Sequence, residues 1–267
     1  MRVSVPQVPA RLGDKGRNID AIERFAKGGA DIIIFPEIFL SGYVIKDELR
    51  LEAEPLDGPS CRRISQIAKK RKKVIVWGMV EKDAKKRGVL YNSAVIALPD
   101  GSVRSYRKLY LANFGPFEER TYFAPGKELV VVDTPFGRIG LTICFDIYFP
   151  ELARALALMG AEIIVNISAS PASTRPFFEK VLPARAIENT VFVAYSNQVG
   201  TQRDEIFWGG NCVIDPRGSV VAKGKEYEDC KVEAEISLDD LETARHYRPT
   251  IREARPEVLE ALARALR

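Results

Sequence analysis

Two kinds of apolar pattern alternate along the chain. Ile32-Ile33-Ile34-Phe35 and Ile163-Ile164-Val165 are apolar on successive positions, which predicts strands covered on both faces. Amphipathic stretches at about 17–27, 61–72, 150–159 and 176–189 carry apolar residues at helical spacing instead. Further strands are predicted at 2–8, 74–80, 90–98, 103–106, 129–133, 139–144, 162–168 and 191–199, with Pro99-Asp100-Gly101 and Pro135-Phe136-Gly137-Arg138 as turns between them. Strand, helix and buried strand recur in both halves, the mark of an α/β layered fold. The segment Cys212 to Val221 also repeats the pattern of Ser93 to Val103, two apolar strands joined by a Pro-x-Gly turn, and so predicts two structurally related halves. Helices would cover one face of each buried strand and a second sheet the other. That arrangement is a four-layer sandwich, although a three-layer fold has the same pattern.

A length of 267 residues suits one α/β domain spanning 1–267, and no linker-like or low-complexity stretch divides it. Apolar residues make up 46% and charged residues 28%, with no run of 18 apolar positions, so neither disorder nor a membrane partner is expected. The chain enters its first strand without an apolar leader, which predicts a cytoplasmic protein. The net charge is only +4. Its basic clusters, Lys69-Lys70-Arg71-Lys72-Lys73 at a helix end and Lys85-Lys86-Arg87 in a hairpin loop, lack interleaved aromatics and read as solvated surface, not as a nucleic-acid site. Cys61, Cys144, Cys212 and Cys230 are scattered without any C-x-x-C pair, so neither a metal site nor a disulfide framework is expected.

The single histidine, His246, narrows the chemistry most, because it argues against imidazole-based hydrolases and histidine metal sites. Three other residues sit where predicted strands end: Glu37 after Phe35-Pro36, Lys108 in Tyr106-Arg107-Lys108-Leu109-Tyr110-Leu111, and Cys144 in Gly140-Leu141-Thr142-Ile143-Cys144-Phe145-Asp146. A cysteine between a strand and a helix protrudes from the sheet edge, and the following backbone N–H groups point toward a developing oxyanion. Its thiol needs a base or a cation nearby to react at neutral pH. Glu37, leaving an apolar strand, is placed to be desolvated into the general-base range. Taken singly, each has a plainer reading: a buried cysteine, a helix-start glutamate, a surface lysine.

In this order, these segments resemble the nitrilase superfamily of carbon-nitrogen hydrolases. The likeness runs over essentially the whole chain and includes Gly42-Tyr43, Tyr91-Asn92-Ser93-Ala94, Glu119 to Gly126, Phe149-Pro150-Glu151 and Ala184 to Asn189. The resemblance implies an αββα sandwich pairing to αββα-αββα in a homodimer or higher homo-oligomer, with no cofactor and no metal. It implies a Glu37, Lys108 and Cys144 triad that hydrolyses a non-peptide C–N bond. Cys144 attacks, Glu37 takes its proton and later activates water, and Lys108 with the Phe145 N–H stabilises the tetrahedral intermediate. Glu119 corresponds to a second active-site glutamate that orients Lys108, with the adjacent Glu118 as the alternative register.

The substrate expected is a small amide or nitrile. Cys144-Phe145-Asp146, where the nitrilase branch has Cys-Trp-Glu, favours the amide. Tyr148 stands where many amidase-like members carry arginine, which puts carboxylate binding at that position in doubt. Tyr43, Phe114, Phe145 and Trp208 are candidate pocket residues, while Arg185 and Glu188 are expected to hold the fold as a buried ion pair. A nitrilase, an N-carbamoyl-amine hydrolase, an acyltransferase and a catalytically idle scaffold remain as alternatives. The C-terminal segment 238–267, with Ala244 to Pro249 and the apolar pattern Val258 to Leu266, is expected at a dimer interface.

Overall fold

The computed structural model describes residues 1–265; Leu266, the last position of the C-terminal apolar pattern, and Arg267 lie outside the described residues. The first half runs β1 (Arg2–Ser4), α1 (Lys15–Ala26), β2 (Ile32–Ile34), α2 (Leu49–Glu52), α3 (Pro59–Arg71), β3 (Val74–Lys82), β4 (Leu90–Ala97), β5 (Val103–Arg107) and α4 (Glu119–Tyr122). The second half runs β6 (Val131–Thr134), β7 (Gly137–Ile143), α5 (Pro150–Leu158), β8 (Ile163–Ser168), α6 (Arg175–Asn189), β9 (Phe192–Asn197), β10 (Val199–Gln202), β11 (Glu205–Trp208), β12 (Cys212–Ile214) and β13 (Val220–Lys223). Then follow β14 (Glu233–Glu235), α7 (Asp239–Tyr247) and α8 (Pro256–Ala265).

Two six-stranded sheets result, in the orders β14-β1-β2-β3-β4-β5 and β6-β7-β8-β9-β12-β13. Read in those directions, both have the same sequence of pairings: antiparallel, parallel, parallel, antiparallel, antiparallel. The internal likeness in the sequence thus has a topological counterpart, with the β4–β5 hairpin in the place of β12–β13.

The successive apolar positions are explained by the layers. Ile32, Ile34, Val74, Val76 and Ile96 share one buried cluster with Leu141, Ile143, Val165 and Ile167 of the other sheet. Their strand neighbours Ile33, Phe35, Ile75, Trp77 and Val95 pack instead against Ile19, Ile22, Ile64 and Ala68 of α1 and α3. Period-2 alternation sends each strand's side chains both ways, so both sets must be apolar. Helix ends follow local chemistry. Asp14 accepts from Arg17 N to open α1, Pro59 occupies the first turn of α3, and Lys72 closes α3 in the left-handed region.

Elements that the sequence pattern does not reveal are α7 and several short ones. The β10–β11 hairpin, the edge strand β14 and the single-turn α4 are too brief for periodicity to register. Among the described residues no helix is long and apolar enough to cross a membrane.

Candidate active site

Glu37 leaves β2 through Pro36, and the next residue, Ile38, has φ +47°. This turn lies directly on β3 at Gly78, where an added Cβ would fall 2.6 Å from Glu37 Cα, so any side chain there would displace the carboxylate's backbone. Lys108 follows β5. Its N–H donates to Asn92 O at 2.9 Å, and its carbonyl accepts from Gly126 N at 2.8 Å. Both side chains are buried, at 0% and 1% exposure.

An unpaired ammonium at that depth would cost several kcal/mol. Lys108 Nζ therefore sits between two carboxylates, donating to Glu37 Oε1 at 2.8 Å and Glu119 Oε1 at 2.7 Å. Glu37 further accepts from Asn92 Nδ2 at 2.6 Å and from Ala169 N at 2.6 Å. Glu119, the first residue of α4, accepts from Tyr43 Oη at 2.8 Å and from Ala112 N at 2.9 Å. Glu118 is exposed, so the register that assigns the buried glutamate to position 119 is the one the fold adopts. A line of amides closes this cluster into a ring. Gln198 Nε2 donates to Glu37 O, Gln202 Nε2 to Gln198 Oε1, and Gln202 Oε1 accepts from Tyr43 N.

Cys144 follows β7 directly with φ +48°, a conformation that costs a non-glycine residue energy and is held by its surroundings. A 3-10 turn over Cys144–Tyr148 follows. Asp146 fixes the elbow by accepting from Ile143 N at 2.9 Å, and ties it to the end of β5 by accepting from Tyr106 Oη at 2.7 Å and Tyr110 N at 3.0 Å. Arg185 holds the far end of the turn, donating to Ile147 O and Tyr148 O while pairing with Glu188 at 3.0 Å. The expected ion pair thus forms and braces the elbow, but it is not a buried pair: Arg185 is buried, whereas Glu188, on the outer side of α6, is partly exposed.

Cys144 Sγ lies 3.4 Å from Ser170 Oγ. Burial, reinforced by the Glu37 charge, pushes its thiol up to about 12 against the pull of Lys108 and the Ser170 hydrogen bond. The cation that the sequence places near this thiol is already committed to two carboxylates, and its pull does not offset burial. Burial likewise raises the Glu37 carboxyl above its ordinary range, with Lys108 opposing and Glu119 adding to the shift. A protonated thiol beside a base of raised pKa is set for proton transfer during attack.

The thiol opens into a cavity of about 280 Å³ lined by Phe114, Phe117, Phe145, Tyr148, Ser170 and Phe178, among others. Two of the four candidate pocket residues, Phe114 and Phe145, are on this wall. Tyr43 instead holds Glu119 and lines a second cavity of about 250 Å³ with Glu118, Glu119 and Asp204. Trp208 is core, 1% exposed and stacked on Tyr195 at 5.9 Å, outside the lining of either cavity. Its position in β11 turns the ring inward, which a lone aromatic in a sequence does not disclose. Sequence reasoning did not single out Asn92, Ser170, Gln198 or Gln202 as site residues. Asn92 lies in the Tyr91-Asn92-Ser93-Ala94 segment, whereas the others are polar residues at strand ends with no distinctive spacing.

A cysteine elbow set against a buried Glu-Lys-Glu cluster, between two stacked sheets, is the architecture of an acyl-enzyme hydrolase. The carbon-nitrogen hydrolase family profile matches residues 2–246. An (R)-stereoselective amidase of Pseudomonas sp is 35% identical over 92% of this chain and 88% of its own length. A nitrilase of Pyrococcus abyssi is 33% identical over 89% of this chain and 90% of its own. A mutant of the amidase from Nesterenkonia sp. AN1, with the acetamide moiety of fluoroacetamide added covalently at its active-site cysteine, superposes with a TM-score of 0.84. It is 28% identical, covering 98% of this chain and 96% of that one. The chain belongs to the carbon-nitrogen hydrolase family. It is an enzyme that hydrolyses a non-peptide carbon–nitrogen bond.

Proposed function

We propose that the protein is an amidase that converts a small carboxamide to its carboxylate and ammonia, with Glu37, Lys108 and Cys144 as catalytic residues. The observation that carries this reading is the clamping of Lys108 Nζ by two buried carboxylates next to the Cys144 elbow. Cys144 Sγ bonds to the amide carbon as its proton passes to Glu37. The negative charge gathered on the carbonyl oxygen is met by Lys108 and the Phe145 N–H. The C–N bond then breaks, Glu37 returns the proton to the nitrogen, and ammonia leaves a thioester. Glu37 next deprotonates water, which attacks the thioester and releases carboxylate and thiol. Glu119 is a positioning residue, holding Lys108 and itself held by Tyr43.

Ammonia release from acetamide, propionamide and the matched nitriles tests this. Amide turnover that disappears in Cys144→Ala supports the reading; turnover of nitriles alone assigns the nitrilase reaction instead.

The same proposal takes residues 1–267 as one cytoplasmic domain that works as a homodimer. Four free cysteines suit a reducing compartment. Dimerisation draws support from α7 and α8, where Tyr247 is 78% and Val258 65% exposed and α8 buries no residue. Light scattering of the full chain and of one truncated before α8 checks it, a monomer in both cases removing the dimer.

A further inference from the structure

The Cys144 cavity is distinctive in what it lacks. Among the described residues no Lys, Arg, His, Asp or Glu side chain lines it. Its wall is a connected run of rings. Phe117 meets Phe114 at 5.5 Å, Phe114 meets Phe145 at 4.9 Å, Phe145 meets Tyr148 at 5.7 Å, and Tyr148 meets Phe178 at 5.3 Å. At the mouth, Phe114 is 50% and Phe177 59% exposed, large apolar surface left in water beside the reacting sulfur.

From this the geometry points to an uncharged, apolar acyl group, with an aromatic ring on a short spacer as its best filler: carboxamides of the phenylacetamide and 3-phenylpropanamide type. The inference rests on the amidase reading and names its substrate class. A carboxylate carried in with the acyl group would give up its hydration and meet no cation on this wall. The neighbouring cavity offers no better receptor, because its one lining cation among the described residues, Lys46, shares that lining with Glu118, Glu119, Asp204 and Glu205. A ring would instead meet ring edges and faces at the distances aromatic pairs adopt. Size agrees, since apolar cavities of about 150 Å³ take up benzene and this one measures about 280 Å³. The reaction is unchanged: the aryl-acyl group forms the Cys144 thioester, ammonia leaves and water releases the aryl-acid.

The test compares phenylacetamide, acetamide and succinamate as substrates of the full-length enzyme, and titrates the first and last into Cys144→Ala by calorimetry. Expected is a kcat/KM for phenylacetamide about 100-fold above that for succinamate, with binding to the variant in the same order. Phe177→Arg, at an exposed position that leaves the core alone, should narrow that ratio about tenfold by giving the mouth a cation. Succinamate equal to or better than phenylacetamide, in turnover or in binding, overturns the proposal while acetamide hydrolysis keeps the amidase reading. Absence of all amide turnover removes that reading, and the binding order then still decides what the cavity selects.

Discussion

The two sheets share a strand order and a pairing pattern, yet they bring different chemistry to the site. The first supplies charge: Glu37 from the end of β2 and Lys108 from the end of β5, with Glu119 just beyond. The second supplies the Cys144 thiol, the proposed nucleophile, from the turn after β7, at φ +48°. Positions that correspond in the topology diverge in use. After β1, the counterpart of β7, Gln7 is structural and donates to the carbonyls of Lys225 and Glu228. After β8, the counterpart of β2, Ala169 contributes only a backbone N–H, and gives it to Glu37. Duplicated architecture thus fixes where strand ends meet, while the side chains at those ends divide base and cation from thiol. Burial raises the thiol, and the ammonium stays with its two carboxylates until a carbonyl oxygen arrives.

The largest break in this division is Cys144→Ala, which removes all that the second sheet contributes to bond making. Turnover should fall by about 10⁴-fold or more, with circular dichroism and melting unchanged; retained activity would falsify the nucleophile assignment. Glu37→Gln strikes the other side and should lower kcat by roughly 10²–10⁴-fold, with the thioester trapped by mass spectrometry if acylation outlives deacylation. In the unaltered enzyme the base must be deprotonated to accept the thiol proton. Because burial raises Glu37, kcat/KM should fall with acidification through a limb lying above the ordinary glutamate value of 4.5. A pH–rate profile flat down to that value contradicts a desolvated base.

Lys108→Met leaves Glu37 and Glu119 without their shared ammonium. Besides losing activity, it should destabilise the fold by about 3–5 kcal/mol near neutral pH, read from urea midpoints. Gly78→Ala forces the added methyl toward Glu37 Cα and should cost about 1–3 kcal/mol, together with a larger proportional loss in kcat than in thermal stability. Smallest is Gln202→Leu, which opens the ring that joins Tyr43 to Gln198. A roughly 3–10-fold drop in kcat, with KM and the melting temperature nearly unchanged, would mark Gln202 as a positioning residue; a fall in melting temperature alone would make it merely structural.

Much of this molecule is legible in the chain. Continuous apolar runs at 32–35 and 163–165 announced strands covered on both faces, and amphipathic spacing placed four long helices within about two residues, because burial periodicity is a local signal. The strand-to-helix elbow at Cys144 and the glutamate after Phe35-Pro36 are visible for the same reason. Only the tertiary structure chose between Glu118 and Glu119, since the two differ not in chemistry but in which side chain one turn of α4 turns inward. It alone sent Trp208 to the core and Tyr43 to Glu119, brought Gln198 and Gln202 behind the base, and raised the thiol pKa instead of lowering it. Those outcomes depend on burial and on contacts between residues tens to more than a hundred positions apart. Sequence determines which groups stand at the strand ends; the stacking of the two sheets decides which of them meet, and how dry the meeting place is.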